Sequence, residues 1–193
     1  MKVLVFDFDK TLTYKDSFTQ LCCQRMLHMT RWWVFPVYIT LKILSKFRLI
    51  SVKREKEIAI YILFPHRISE YNKICQEFSS RIKLNPIVNR LNKAIDPRNR
   101  IIILSASPRA YIQPLFPEIE IYATELKVDH TGKIKGIDRH PYGPAKSEVL
   151  VAQGVTHIDE MYYDSHSDEV LIPLCDVWHK VAAGKIIGTY SKL

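Results

Sequence analysis

The chain has 193 residues, with 28 Lys and Arg against 20 Asp and Glu, a formal net charge of +8, and 47% hydrophobic residues. Such a length holds one ordinary domain or a core with a small insertion, and the composition excludes collagen-like, low-complexity and fibrous chains. The positive balance favours phosphate-bearing partners in general, whether nucleic acid, anionic lipid or small substrate, without choosing among them.

Taken in chain order, residues 2–6 form an apolar run ending at Asp7. Its length, β-branched content and loop-like sequel predict a buried strand. The run is too short for a secretory signal and its acidic sequel is wrong for one, so the chain is expected in the cytoplasm. Residues 15–85 lack clear strands and are rich in helix formers and aromatics; a helical insertion between the first two strands is expected there. Ile87, Leu91 and Ile95 recur at helical spacing. Ile101 to Leu104 predicts a second strand ending at Ser105 and closed by Pro108. A third strand is expected near 119–124, and a small hairpin over 127–134 with its turn near Thr131-Gly132. Gly143-Pro144 opens a helix over 145–153 that stops at Gly154. Further strands are expected at 161–163, ending at Asp164, and at 177–182. Strands alternating with helices imply right-handed crossovers and an α/β fold: a Rossmann-like parallel sheet of about five strands, covered on both faces. The expected division is a core of 1–14 and 86–193 with a helical cap of 15–85. Cys22, Cys23, Cys75 and Cys175 show no zinc-ligand spacing and read as free thiols.

The polar residues of interest follow strands. In an open parallel sheet, ligands bind beyond the carboxyl ends of the strands, so Asp7, Ser105 and Asp164 are expected in one cleft, with Lys146 in reach. Asp7 and Asp9 are two apart, a spacing that turns both side chains one way on an extended chain. Paired carboxylates suit a hard cation such as Mg²⁺, and can also divide into a nucleophile and a proton carrier. The plainer reading is an acidic pair capping a loop. Ser105 and the backbone N–H groups at a helix start could bind phosphate, or the serine could be an ordinary cap. Lys146 in an early helical turn is disfavoured by the helix dipole unless it faces an anion. Asp164 and Asp168 could supply a metal ligand and a supporting carboxylate, or a simple acidic turn.

In their order and placement, Asp7-Phe8-Asp9-Lys10-Thr11, Ser105, Lys146 and Asp164-Ser165-His166-Ser167-Asp168 resemble the haloacid dehalogenase (HAD) superfamily over nearly the whole chain. The phosphoserine-phosphatase-like branch, with a helical cap inserted after the first motif, is the most similar. The resemblance implies a Mg²⁺-dependent phosphatase acting through an aspartyl-phosphate. It makes Asp7 the nucleophile and Asp9 the acid and base. Ser105 and Lys146 bind phosphate, and Asp7, Asp9 (through its carbonyl) and Asp164 hold the metal, with Asp168 in support. Tyr163 departs from the pattern, standing where many members have Gly. Asp16, Phe18 and Arg109 are candidate substrate-side residues; His166 reads as a loop residue.

Between Asp16 and Glu55 there is no acidic residue, but there are Arg25, Arg31, Lys42, Lys46, Arg48, Lys53 and Arg54. The apolar run 32–41 stops short of the roughly 20 residues needed to span a bilayer. Two readings stay open for it: the cap's own core, or a helix lying in the membrane interface. The second gives a peripheral contact with anionic membrane through residues 31–48, each nearby cation adding about 1 kcal/mol. Accordingly the expected substrate is a small phosphorylated metabolite or a lipid phosphate, the latter resembling phosphatidylglycerophosphatases in general character. Nucleic acid is not expected, since no established binding motif occurs. A phosphotransferase is a variant of the same chemistry. An inactive phosphate- or lipid-binding module is disfavoured because binding alone does not need Asp9.

Overall fold

The first strand, β1 (Lys2–Phe6), is the centre of the molecule. The structure is a computed structural model and describes residues 2–27 and 32–192. β2 (Asn99–Pro108) and β5 (Ile158–Tyr163) flank β1, both parallel to it. β3 (Glu120–Val128) lies parallel on β2, and β6 (Cys175–Ala182) parallel on β5. Antiparallel edge strands, β4 (Ile134–Arg139) and β7 (Lys185–Ser191), complete a seven-stranded sheet in the order β4-β3-β2-β1-β5-β6-β7. The chain therefore moves outward on one side of β1 and resumes on the other. The crevice beyond the carboxyl end of β1 is the topological switch point where such sheets bind ligands.

Alternation along the strands explains why both faces are covered. Leu4 and Phe6, with Ile101 and Ile103, enter one buried cluster; Val5, with Ile102 and Leu104, enters the other. Against the first face lie four helices inserted between β1 and β2: α1 (Ser17–Leu27), α2 (Val34–Lys46), α3 (Val52–Leu63) and α4 (Ile68–Ser79). Their buried side chains, Phe18, Ile60, Tyr71 and Phe78 among them, are continuous with Leu4 and Phe6 in one core. The two ends of this segment are tied together. Thr13 bridges Leu84, the Asn85 backbone N–H donates to Leu12 O at 2.9 Å, and its amide donates to Thr11 O at 2.8 Å and Thr13 O at 2.9 Å. The remaining helices are α5 (Val88–Ala94), the single turn α6 (Arg109–Ile112), α7 (Pro144–Ala152) and a 3-10 helix, His166–Leu174.

The expected strands all form, within a larger sheet. β2 continues past Ser105 to Pro108, with a register shift against β3 over that stretch. The expected hairpin is the tip of β3 and β4, whose turn is organised by Asp129 Oδ1 accepting from Thr131 N and Lys133 N at 2.9 and 3.0 Å. β7 was not expected: it is an exposed edge strand with weak apolar alternation. The 3-10 helix was not expected either, because its acidic start reads as a loop and Pro173 lies inside it. All four cysteines are free.

The aromatic stretch of α2 divides its two faces. Val34, Tyr38 and Leu41 are buried, whereas Trp33, Phe35, Ile39 and Ile43 are exposed, together with the flanking Trp32, Phe47 and Leu49 at 78%, 70% and 71%. One face thus belongs to the core, and the other shows a stripe of large apolar groups. Arg31 of the expected membrane-contact segment lies outside the described residues. Among the described residues no helix is long and apolar enough to cross a membrane.

Candidate active site

Asp7 follows β1 directly, and its backbone N–H donates to Tyr162 O at 2.9 Å, prolonging the strand pairing by one residue. The chain then turns sharply. Leu12 N and Thr13 N both donate to Phe8 O, at 2.9 and 3.1 Å, Lys10 N donates to Thr13 Oγ1 at 3.1 Å, and Lys10 takes a φ of 58°. This turn separates the two carboxylates that extended spacing would have aligned. Asp7 Oδ1 accepts from Lys146 Nζ at 2.7 Å. Asp9 Oδ1 accepts from Ser17 N at 2.8 Å and Ser17 Oγ at 2.5 Å, while Ser107 Oγ donates to Asp9 Oδ2. Both still line one small cavity of ≈ 170 Å³.

Lys146 is brought to Asp7 by α7. Gly143 at φ 55° and Pro144 start that helix, so the lysine sits in its first turn, buried, with its ammonium pointing back at the strand ends. Its Nζ lies 2.7 Å from Asp7 Oδ1 and 2.5 Å from Asp168 Oδ1. Burial opposes its charge, but the two aspartates outweigh burial and raise its pKa. The dipole argument made at sequence level therefore finds its anion in the protein itself.

Asp7, Asp164 and Asp168 gather their carboxylate oxygens within 4.8 Å of one another. Burial raises the Asp7 pKa well above its usual range; Lys146 pulls it down, and Asp168 and Asp164 push it up. Asp164 is raised to about 6, by burial first and by Asp168 next. Three carboxylates crowded against one ammonium fit a divalent cation, which would relieve this repulsion with oxygen ligands. The side-chain set that could hold the ion is Asp7, Asp164 and Asp168. The Asp9 carboxylate is not in it, and Asp168, expected only in support, is. The reason is the turn after Phe8, which commits Asp9 to the start of α1.

Asp9 is raised by burial and by Asp16, against the bonds from Ser107 and Ser17. Ser17 also lies 2.9 Å from Tyr111 OH, so the carboxylate is held by a buried chain of hydroxyls. Ser105 is buried in the cavity wall, where its Oγ accepts from Ser107 N at 3.1 Å. It stands within β2, four residues before the single-turn α6, and not at the helix start expected for it.

The substrate-side candidates separate. Asp16 lines the cavity and caps α1 through a 2.6 Å bond from Thr19 N; burial raises its pKa, but the bonds from Thr19 bring it below the usual value. Phe18 is fully buried in the core beneath Lys56, and so is not substrate-side. Arg109 points away, to Glu125 Oε1 at 2.8 Å and Gln113 Oε1 at 3.0 Å. His166 is exposed and bonded to Glu169 at 2.9 Å. Sequence reading missed Lys56, which is buried in the cavity wall and donates to Ala106 O at 2.7 Å, its pKa lowered by burial. No local signal marks it, since it follows Glu55 in an ordinary charged helix. Ser17 and Ser107 were also missed; the Ser105-Ala106-Ser107 repeat was the available hint.

A family model for haloacid dehalogenase-like hydrolases matches residues 4–169. The chain belongs to this family and is a hydrolase by that membership. Among solved structures it is similar to a protein of unknown function from Bordetella pertussis, with 18% identity, a TM-score of 0.72, and coverage of 89% of this chain and 86% of that one. It is also similar to a phosphoserine phosphohydrolase-like protein from Francisella tularensis, with 21% identity, a TM-score of 0.63, and coverage of 90% and 82%. A third similar structure is a phospho-aspartyl intermediate analogue of phosphoserine phosphatase, with 14% identity, a TM-score of 0.60, and coverage of 93% and 85%. At these identities the likeness establishes a common fold. No curated protein matches by sequence.

Proposed function

We propose that the protein is a Mg²⁺-dependent phosphatase that hydrolyses a phosphomonoester through an aspartyl-phosphate on Asp7, with residues 15–85 as the cap over a core of 1–14 and 86–193. The observation that carries this reading is the meeting of Asp7, Asp164 and Asp168 around the Lys146 ammonium at the switch point. A phosphatase site needs little beyond a placed nucleophile and neutralisation of oxygen charge. In this reading an Asp7 oxygen attacks phosphorus in line while Asp9 gives its proton to the leaving oxygen. The raised Asp9 pKa suits a group that must start protonated. Asp9 then takes a proton from the water that attacks the phosphoaspartate, which frees Asp7 and releases inorganic phosphate. Ser105 and Lys146 bind the phosphoryl oxygens. When bound by Asp7, Asp164, Asp168 and the Asp9 carbonyl, Mg²⁺ supplies the positive charge that keeps Asp7 ionised beside its anionic substrate. The phospho-aspartyl analogue in a structural relative's title accords with this chemistry.

The test is phosphate release from a panel of amino-acid, sugar, nucleotide and lysolipid phosphates with Mg²⁺ and with chelator. Hydrolysis is expected only with the metal. Because Asp164, at about 6, must lose its proton to bind an ion, half-saturating Mg²⁺ is expected to rise as pH falls below about 6. Metal-independent turnover, or an Mg²⁺ requirement flat across that range, would count against the proposal.

A second reading, a lipid-phosphate phosphatase working at a membrane surface, is favoured by one observation. The exposed stripe Trp32, Phe35, Ile39, Ile43 and Phe47 runs along the helix that also carries Lys46, with Arg48 and Lys53 next in the chain. Apolar groups flanked by cations suit an anionic interface. The protein is expected to float with anionic vesicles at low salt, and to stop floating when Phe35 and Phe47 are changed to Glu. Retention in the aqueous fraction at low salt would remove this reading and leave the first intact.

A further inference from the structure

We propose that the substrate carries a second anionic group, remote from the scissile phosphate, which is held in a basic antechamber formed by α2, α3 and the loop between β4 and α7. The inference rests on the phosphatase reading for what fills the catalytic cavity. That cavity, at ≈ 170 Å³, has room for a phosphoryl group and little else. Whole-metabolite pockets run to roughly 300–1,000 Å³. Beside it lies a chamber of ≈ 830 Å³, and the two share Lys42, Val52, Glu55 and Tyr142 as a common wall. For a substrate with its phosphate at Asp7, this chamber is adjoining space for the rest of the molecule.

The chamber is lined by Lys42, Lys46, Arg48 and Lys53 against one acid, Glu55. Glu55 is spent on Lys42, at 2.8 Å. Among the described residues no carboxylate lies within 4.0 Å of Lys46, Arg48 or Lys53. Three cations thus face one concave space without partners, and a recess focuses such a field. His140 is another wall residue. Burial first, then Lys56 and Lys53, lower its pKa to about 3, so it stays neutral.

Arg48 closes α2 at the edge of the chamber. Leu49 N donates to Leu44 O at 2.9 Å and Arg48 N to Ser45 O at 3.0 Å, the paired bonds that close a helix through a left-handed residue. Glycine is the usual occupant of that position, and here an arginine holds it at φ 59°.

The experiment compares phosphooxybutyrate, whose far end is a carboxylate, with butyl phosphate, whose far end is a methyl, on the Mg²⁺-loaded enzyme. The scissile ends are alike, so the second charge is the variable. Phosphooxybutyrate is expected to show kcat/KM about tenfold or more higher, through KM, as one charge-assisted contact supplies. The triple change Lys46→Ala, Arg48→Gly and Lys53→Ala is expected to bring the ratio close to one; the glycine keeps the helix end intact. Equal kcat/KM for the two esters in the unaltered protein, or a preference that survives the triple change, would overturn the proposal. If neither ester is hydrolysed, the phosphatase reading is judged by the wider panel, and calorimetric binding of phosphooxybutyrate still judges the chamber. Affinity about tenfold weaker in the triple variant supports it; equal affinity overturns it.

Discussion

Replacing Asp7 by Asn is expected to reduce turnover by about 10⁴-fold or more, the scale on which loss of an enzymic nucleophile registers. The fold is expected to survive. Asn conserves volume, and Lys146 keeps Asp168 Oδ1 at 2.5 Å. Without metal the variant should even match or exceed the parent in thermal stability, because one of three mutually repelling carboxylates is gone. Beryllium fluoride, which mimics a phosphorylated carboxylate, is expected to inhibit the parent and to find no site on an amide. Turnover within tenfold of the parent, in a preparation free of deamidated protein, would refute the nucleophile assignment.

Changing Lys146 to Met should have the opposite balance, harming stability as well as activity. Met fills similar volume, so no large void is created. What is lost is the single ammonium between two buried carboxylates, Asp7 and Asp168. Breaking a buried ion pair from one side costs roughly 3–5 kcal/mol. At roughly 2–4 °C per kcal/mol for a chain of this size, the midpoint of thermal unfolding is expected to fall by roughly 6–20 °C. The sign of the pH dependence follows from the same groups. The Asp7 pKa, already raised by burial, rises further once the lysine that pulls it down is gone, and a proton then neutralises that carboxylate. The deficit should therefore be largest at about pH 8 and shrink by about pH 5. An unfolding curve that superimposes on the parent's at both values would show that Lys146 does not neutralise this cluster.

Much of the site was legible because its chemistry lies in short motifs at strand ends. Asp7 and Asp164 meet because each follows directly on a buried strand, β1 and β5, while α7 and the 3-10 helix carry Lys146 and Asp168 to them. The spacing rule failed at Asp9 for a local reason: it holds only while the chain stays extended, and the turn closed by Phe8 O ends that extension. Phe18 and Arg109 were misplaced because nearness in sequence to a motif says nothing about which side of a helix a residue occupies. Lys56 was invisible because its burial is decided by tertiary packing of α3 against Phe18 and Ala106, far away in the chain. The apolar stripe of α2 was legible as composition. Which half would be covered was not, since a two-sided apolar helix has no polar face to orient it.

The clasp made by Asn85 across Thr11 and Thr13 constrains how anything reaches the carboxylates. Phe78 of α4 packs edge-on against Tyr111 of α6, ring centroids 5.4 Å apart, so a rigid swing of the four inserted helices about that neck would have to part these rings. Each aromatic loses about 4 kcal/mol when about 150 Å² returns to water. Even one such loss is a large share of the stability of an ordinary domain, about 5–15 kcal/mol. The gap between the turn after α2 and the half-exposed Tyr142 is an approach that leaves this packing in place. Passage by that approach asks movement of a few loop residues rather than of all four helices.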